Sequence, residues 1–226
     1  MTIPDVVGMM RAVPQTECVL LASGGMDSTT LAYELTAAGR VFTPLFIDYG
    51  QHCRDTERAT LSSVLPPTAI QRLAVVRVAD VYTGSKSRLI EPADLWTTMI
   101  SADDLYLPYR SLLLLSVGAA YSQAHGVKDL FAAFINSNHA HEIDCTSEFF
   151  RQLASVLSEY GGVRVLLPYR NLTKFEVLLR ALELAAPVEA TYSCQAASDI
   201  PCGACPNCVD RLDAIGRLNS IKPQGR

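Results

Sequence analysis

The sequence predicts an α/β fold: a parallel sheet wound through helical crossovers, with a short cysteine-rich segment near its C-terminal end. Three observations carry this prediction. Apolar runs of strand length alternate with helical patterns over most of the 226 residues, and such alternation builds parallel sheets through right-handed crossovers. A glycine turn, Ser23-Gly24-Gly25-Met26-Asp27-Ser28-Thr29-Thr30, joins the first apolar run to the first helical pattern. Four cysteines crowd into the stretch from Cys194 to Cys208.

Residues 1–16 contain Pro4 and Pro14 and show no strong period, so they read as a lead-in with some helix around Val6 to Arg11. Cys18 to Ala22 is the first strand, and the helix from about Asp27 to Ala38 ends at Gly39, the usual residue for a left-handed helix terminus. Val41 to Ile47 is apolar apart from Thr43 and Pro44, as expected of a strand buried on both faces, although the proline favours an irregular or edge position. Asp55 to Val64 is helical, Pro66 and Pro67 stop it, and Leu73 to Val78 is a third strand. Residues 80–107 mix Gly84, Pro92, Asp103 and Asp104 with the lone Trp96, and are long enough to form a lid or substrate loop.

Pro108 suits the first turn of a helix, and the following Leu112 to Tyr121 is apolar on nearly every face, which predicts a buried helix. Leu130 to Ile135 is a fourth strand. Thr146 or Ser147 caps a helix that runs to about Tyr160 and ends at Gly161-Gly162, and Val163 to Leu167 is a fifth strand closed by Pro168. Thr173 with Glu176 three residues on forms a capping box for a helix carrying Val177, Leu178, Ala181 and Leu184.

Composition narrows the function. A formal net charge of -4 without a dense basic stripe argues against direct nucleic-acid binding and leaves a small molecule as the default substrate. No apolar run reaches the length of about eighteen residues that a membrane span needs, and no secretory signal opens the chain, so a cytoplasmic protein is expected.

The glycine turn is the first candidate site. Two glycines let the backbone approach an anion, a first helical turn presents unpaired N–H groups, and Ser23, Ser28, Thr29 and Thr30 add hydroxyls. The turn lacks the lysine of the common nucleoside triphosphatase loop and the spacing of the dinucleotide fingerprint. It matches the S-G-G-x-D-S loop of the N-type ATP pyrophosphatases, which it resembles residue for residue. Asp48-Tyr49-Gly50-Gln51 follows the second strand, where open α/β sheets place their ligands, or else forms an exposed turn. Arg110, at a helix start, can face a phosphate or form an ion pair at the rim. Lys174 opens a helix against the helix dipole, which fits a lysine aimed at a bound phosphate. The polar loop Asn136 to Cys145 contains His139, His141 and Asp144, which could hold a second metal, although histidines two apart on a loop are more often polar surface.

Cys194, Cys202, Cys205 and Cys208 have the spacing C-x7-C-x2-C-x2-C with Gly203 at the tight turn. Four thiolates at that density point to tetrahedral zinc with no position left for chemistry, hence a structural site; an iron–sulfur cluster is the main competitor and a disulfide the third option. Cys18, Cys53 and Cys145 remain as thiols. Arg211 lies either near the sulfurs or on the exposed face of the last helix.

Taken together, Ser23 to Ser28, Asp48 to Gln51, Leu172-Thr173-Lys174, Thr191 to Cys194 and the Cys202-Gly203-x-Cys205-x-x-Cys208 ending resemble the 7-cyano-7-deazaguanine synthases of the queuosine pathway. They occur in that family's order from about residue 18 to residue 217. The resemblance implies a Rossmann-like, doubly wound domain of the adenine nucleotide alpha-hydrolase kind over residues 17–186. It further implies a zinc-binding segment over residues 187–226 and a homodimer. It implies an ATP-dependent ligase that activates the carboxylate of 7-carboxy-7-deazaguanine for attack by ammonia, giving an amide and then a nitrile.

On that resemblance, Ala22 to Thr30 and Asp48 to Gln51 bind ATP, Asp27 holds Mg2+, and Lys174 and Arg110 balance the phosphates. Asn136, Asp144 and Phe149 fall on the substrate side, and the four cysteines hold Zn2+. Two departures stand out. Leu107-Pro108-Tyr109-Arg110-Ser111 replaces V-P-G-R-N, and Ser137 to Ile143 replaces the family's S-G-Y-P segment and the aspartate before it. The remodelled loop keeps two alternatives open: transfer of the activated acid to an amine of a protein partner, and a non-catalytic ATP-binding zinc module.

Overall fold

A computed structural model describes residues 16–92, 100–135, 145–196 and 200–221. The lead-in helix, Trp96, Asn136, the histidine pair and Asp144 lie outside the described residues.

Five strands form one parallel sheet: β1 (Cys18–Leu21), β2 (Phe42–Asp48), β3 (Ala74–Arg77), β4 (Asp129–Phe131) and β5 (Arg164–Leu166), in the order β3-β2-β1-β4-β5. The chain winds outward from β1 to β3, then returns to the other side of β1 at β4. That reversal opens a crevice at the carboxyl ends of β1 and β4, where doubly wound sheets bind ligands.

Alternation along β1 explains why both faces are covered. Cys18, Leu20 and Ala22 pack with Leu31 and Leu35 of α1 (Met26–Ala37), Leu61 of α2 (Arg54–Val64) and Ala69 of the short α3 (Pro67–Ile70). Val19 points the other way, toward Leu115 and Ala119 of α4 (Arg110–Ala124) and Phe150 of α5 (Ser147–Gly161). A two-residue side-chain period with both faces buried produces the continuous apolar runs of the sequence. Gly118 lets α4 lie close: a Cβ there would come within 2.9 Å of Leu21 and 3.1 Å of Leu130.

A third cluster joins Met26 of α1 to Leu178 and Ala181 of α6 (Lys174–Glu183) and Ala214 of α7 (Pro206–Ile221). The residues after the cysteine segment are thereby packed against the helix that follows the glycine turn. Among the described residues no helix is long and apolar enough to cross a membrane.

Four expectations need correction. Pro44 does not mark an edge, because β2 lies between β1 and β3. Asp48 O accepts from Val78 N across the β2–β3 side, so even-numbered residues of β2 face β3, and the β2–β3 register begins only at Leu45. The missing N–H of Pro44 therefore falls just before that ladder. Pro67 opens α3 at its first position rather than only ending α2. Pro108 stands outside α4, because Tyr109 takes a left-handed conformation at φ 56 and breaks the helix before Arg110. Finally, β4 ends at Phe131 rather than Ile135. Ala132 N still donates to Leu166 O at 3.1 Å, after which the chain leaves the sheet and turns along the crevice.

Candidate active site

The crevice at the sheet's carboxyl end is a cavity of about 280 Å³. Ala22, Ser23, Gly25, Met26, Asp27 and Ser28 form one wall, and Tyr49, Gln51, Arg110 and Lys174 converge on it. The glycine turn is held by its own hydroxyls: Ser28 Oγ donates to Gly25 O at 3.3 Å and accepts from Ser23 N at 3.3 Å. No side chain caps α1, whose N-cap is Gly25 in an extended conformation. The first-turn N–H groups of α1 thus remain available to an anion.

The two glycines serve different ends. Gly24 takes φ +78, and a Cβ there would sit 2.9 Å from the carbonyl oxygen of Glu57, so its lack of a side chain lets the turn pack on α2. Gly25 faces the cavity, where a Cβ would fill the space between Ser23 Oγ and Tyr192 O at 3.4 and 3.5 Å. Nearby Ser193 Oγ is buried and has no hydrogen-bond partner among the described residues. An uncapped helix start, an open glycine and an orphaned hydroxyl are donors arranged for oxyanions, and they fit a bound phosphate chain.

Asp27 and Lys174 meet here although far apart in sequence. Lys174 Nζ donates to both carboxylate oxygens, at 2.9 and 2.8 Å. The capping box that starts α6 is present, with Thr173 N donating to Glu176 Oε2 at 2.8 Å and Glu176 N to Thr173 Oγ1 at 3.3 Å. It fixes the backbone from which Lys174 reaches into the site.

Not every predicted residue reaches the cavity. Thr30 Oγ1 donates to Met26 O at 2.8 Å inside the core, and Thr29 is buried beside it. Asp48 accepts from Gly50 N at 3.0 Å and shapes the turn, so the stretch delivers Tyr49 and Gln51 to the site rather than all four residues. Phe149 packs edge-to-face on Phe150 with centroids 5.4 Å apart. Asn136 and Asp144 lie outside the described residues.

Several cavity residues carried no motif. Glu57 of α2 lines it, with Oε2 accepting from Gln51 Nε2 at 2.9 Å. Burial pushes the Glu57 carboxyl up to about 7, against the hydrogen bonds from Gln51 and Cys53 and the charge of Arg110. Gln195, Asn207 and Asp210, also outside any motif, line the cavity too, beside Tyr192 and Ser193 of the Thr191–Cys194 motif.

Those five flank the cysteines. The sulfur atoms of Cys194, Cys202, Cys205 and Cys208 all lie within 4.8 Å of one another. Backbone N–H groups of Cys202, Ala204 and Cys205 point at sulfur, at 3.4, 3.4 and 3.2 Å, with Gly203 at φ 72 between them. This is the spacing a tetrahedral zinc with sulfurs at about 2.3 Å requires, and N–H donors favour thiolates. All seven cysteines are free of disulfides. Arg211 reaches Val188 O at 2.7 Å and Thr191 Oγ1, anchoring α7 to the segment that enters the cluster. Tyr192 N donates to Gly24 O at 3.0 Å, and His52 Nε2 lies 3.1 Å from Gln195 O. The cysteine segment is therefore tied to both loops of the cavity.

Fold and site define an α/β protein of the Rossmann-like class, with a cavity at the topological switch point that the uncapped start of α1 faces, and a four-cysteine cluster beside its wall. A family model described as "Queuosine biosynthesis protein QueC" matches residues 17–219. Curated relatives include the 7-cyano-7-deazaguanine synthases of Caldicellulosiruptor bescii, 31% identical over 213 residues (91% of this chain, 95% of that one), and Campylobacter hominis, 26% over 204 residues (87% and 93%). That of Methanospirillum hungatei is 28% identical over 215 residues (92% and 98%). The chain belongs to the QueC family, as a divergent member.

Proposed function

We propose that the protein is an ATP-dependent ligase that converts 7-carboxy-7-deazaguanine to 7-cyano-7-deazaguanine through an amide. The observation that carries this reading is the uncapped start of α1 opening into the cavity beside the Asp27–Lys174 pair. A carboxylate resists attack because its oxygen leaves poorly, and bonding that oxygen to a nucleotide phosphate turns it into a good leaving group. The protein then needs to hold ATP, acid and amine together and to neutralise developing charge.

Ser23, Gly25, Ser28 and the first N–H groups of α1 hold phosphate oxygens. Asp27 would hold Mg2+, whose charge would offset that of the phosphates. Lys174, exchanging Asp27 for phosphate, and Arg110 balance the remaining charge. Ammonia attacks the activated carbonyl carbon and displaces the nucleotide phosphate to leave the amide; a second activation, at the amide oxygen, permits its loss to give the nitrile. Zn2+ on the four cysteines is structural in this scheme.

Purified protein incubated with magnesium-ATP, 7-carboxy-7-deazaguanine and an ammonium salt should form the nitrile, read by mass spectrometry. ATP consumption with no ammonia product would instead favour transfer to an amine of a protein partner. Complete inertness toward the acid would sink the ligase reading.

A further inference from the structure

We infer that Glu57 binds the ammonium ion and accepts its proton before the nitrogen attacks; this rests on the reading above. Ammonium is the abundant form of ammonia at neutral pH and has no lone pair, so a ligase that uses it needs a cation site that also removes a proton. Asp27 is engaged by Lys174. Glu57 lines the same cavity, and among the described residues its carboxylate receives hydrogen bonds but forms no ion pair.

The surroundings hold that carboxylate in place. Gln51 Oε1 accepts from Tyr49 N at 2.9 Å, while Nε2 is shared between Ile47 O at 3.2 Å and Glu57 Oε2 at 2.9 Å. The amide is thus anchored to the end of β2 on one side and to Glu57 on the other. The Cys53 thiol also bonds to the carboxylate, Arg110 supplies positive charge from α4, and Asp48, Tyr49 and Tyr192 complete the titratable groups around it. A small tetrahedral cation with four N–H donors suits such a carboxylate, whereas a long lysine or arginine side chain is already placed elsewhere.

Basicity supports the geometry. A carboxyl held near 7 is about 300-fold more basic than an ordinary one, which brings it closer to ammonium. Ammonium gives one proton to the Glu57 carboxylate, and the freed lone pair forms the C–N bond as the C–O bond to the nucleotide phosphate breaks with its electron pair. The surplus proton on the new amide nitrogen leaves with the departing phosphate, and Glu57 returns its proton to solvent.

The test compares wild type with Glu57→Gln and Glu57→Asp, using ammonium and then hydroxylamine, an amine already neutral near pH 7. Acid-dependent ATP cleavage and hydroxamate formation should lose at least about 10-fold less than amide formation does, because neither needs a base for ammonium. Amide formation by Glu57→Gln should fall roughly 100-fold, chiefly through a higher KM for ammonium, and recover as pH rises; Glu57→Asp should regain part of the rate. Equal losses with both amines, or an unchanged KM for ammonium, would overturn the assignment. If wild type itself fails to activate the acid, the ligase reading falls first and this assignment falls with it.

Discussion

Replacing Asp27 by asparagine should move two ATP affinities in opposite directions. In the structure the Asp27 carboxylate accepts from Lys174 Nζ at both oxygens, and the two side chains are 22% and 14% exposed. Asp27→Asn releases that ammonium group and removes a negative charge from the glycine turn. In magnesium-free buffer ATP then no longer competes with a carboxylate for Lys174. Such a partly exposed pair is worth about 1 kcal/mol, so metal-free ATP should bind the variant about 5-fold more tightly. With magnesium the order reverses, because the metal loses its protein carboxylate and several kcal/mol of charge stabilisation go with it. ATP-dependent activation of the acid should fall at least about 1000-fold. Calorimetric titration of ATP with and without magnesium reads both effects, in buffers freed of magnesium without a chelator so that the cysteine site keeps its metal. Weaker metal-free binding by the variant, or wild-type turnover with magnesium, would refute the assignment of Asp27 and Lys174.

At the amino end of the strands, opposite the cavity, Asp129 is fully buried between Arg40, at 2.9 Å, and the half-exposed Arg164, at 2.7 Å. Asp129→Asn removes the negative charge that faces buried Arg40 and should cost about 3–5 kcal/mol, lowering Tm by roughly 6–20 °C, with activity per folded molecule preserved. Arg164→Ala should cost about 1 kcal/mol, and equal effects of the two changes in thermal melts would contradict this ranking. Displacing metal from the four cysteines with an organomercurial should release zinc to a colorimetric indicator and abolish ATP binding in parallel; zinc release with unaltered ATP affinity would separate the cluster from the cavity wall. The raised Glu57 carboxyl makes a pH prediction of definite sign. Between its ordinary value of 4.5 and about 7 the folded state holds more protons than the unfolded one, so stability falls as pH rises through that window. Glu57→Gln removes this loss, so its Tm relative to wild type should climb from pH 5 to pH 8.

What was legible in the sequence followed from period and turn chemistry. Both faces of the parallel sheet are buried, so β1 appears as an unbroken apolar run and β2 as one interrupted by Thr43 and Pro44, and Gly39, Gly162 and Thr173 terminate or start helices as their types predict. The run Leu130 to Ile135 misled because apolar residues that line a cavity are indistinguishable from those in a ladder. Pro108 misled because nothing in the sequence announces the left-handed Tyr109. Thr29 and Thr30 have the right residue type for a phosphate cradle, but a helix turns successive residues by about 100° and carries their hydroxyls into the core. Glu57 was invisible for the opposite reason. It sits among Arg54, Asp55 and Arg58 on a helix with two buried residues, Leu61 and Val64, and reads as one more charge on a solvated face.

The cysteine segment is where sequence and structure combine to say more than either alone. Its spacing predicted a closed metal site, and a closed site has no position for chemistry. Yet Ser193, Gln195, Asn207 and Asp210 line the cavity while Cys194, Cys205 and Cys208 sit between or beside them in the chain. A loop this short, interrupted by Pro201, Gly203 and Pro206, has little core of its own to fix it. Four sulfur–metal bonds would supply that constraint, and Tyr192 N on Gly24 O, His52 beside Gln195 O and Arg211 on Val188 O connect the segment to the glycine turn, the loop after β2 and α7. A metal held by these cysteines would therefore act on activity through position, by constraining one wall of the cavity relative to the start of α1.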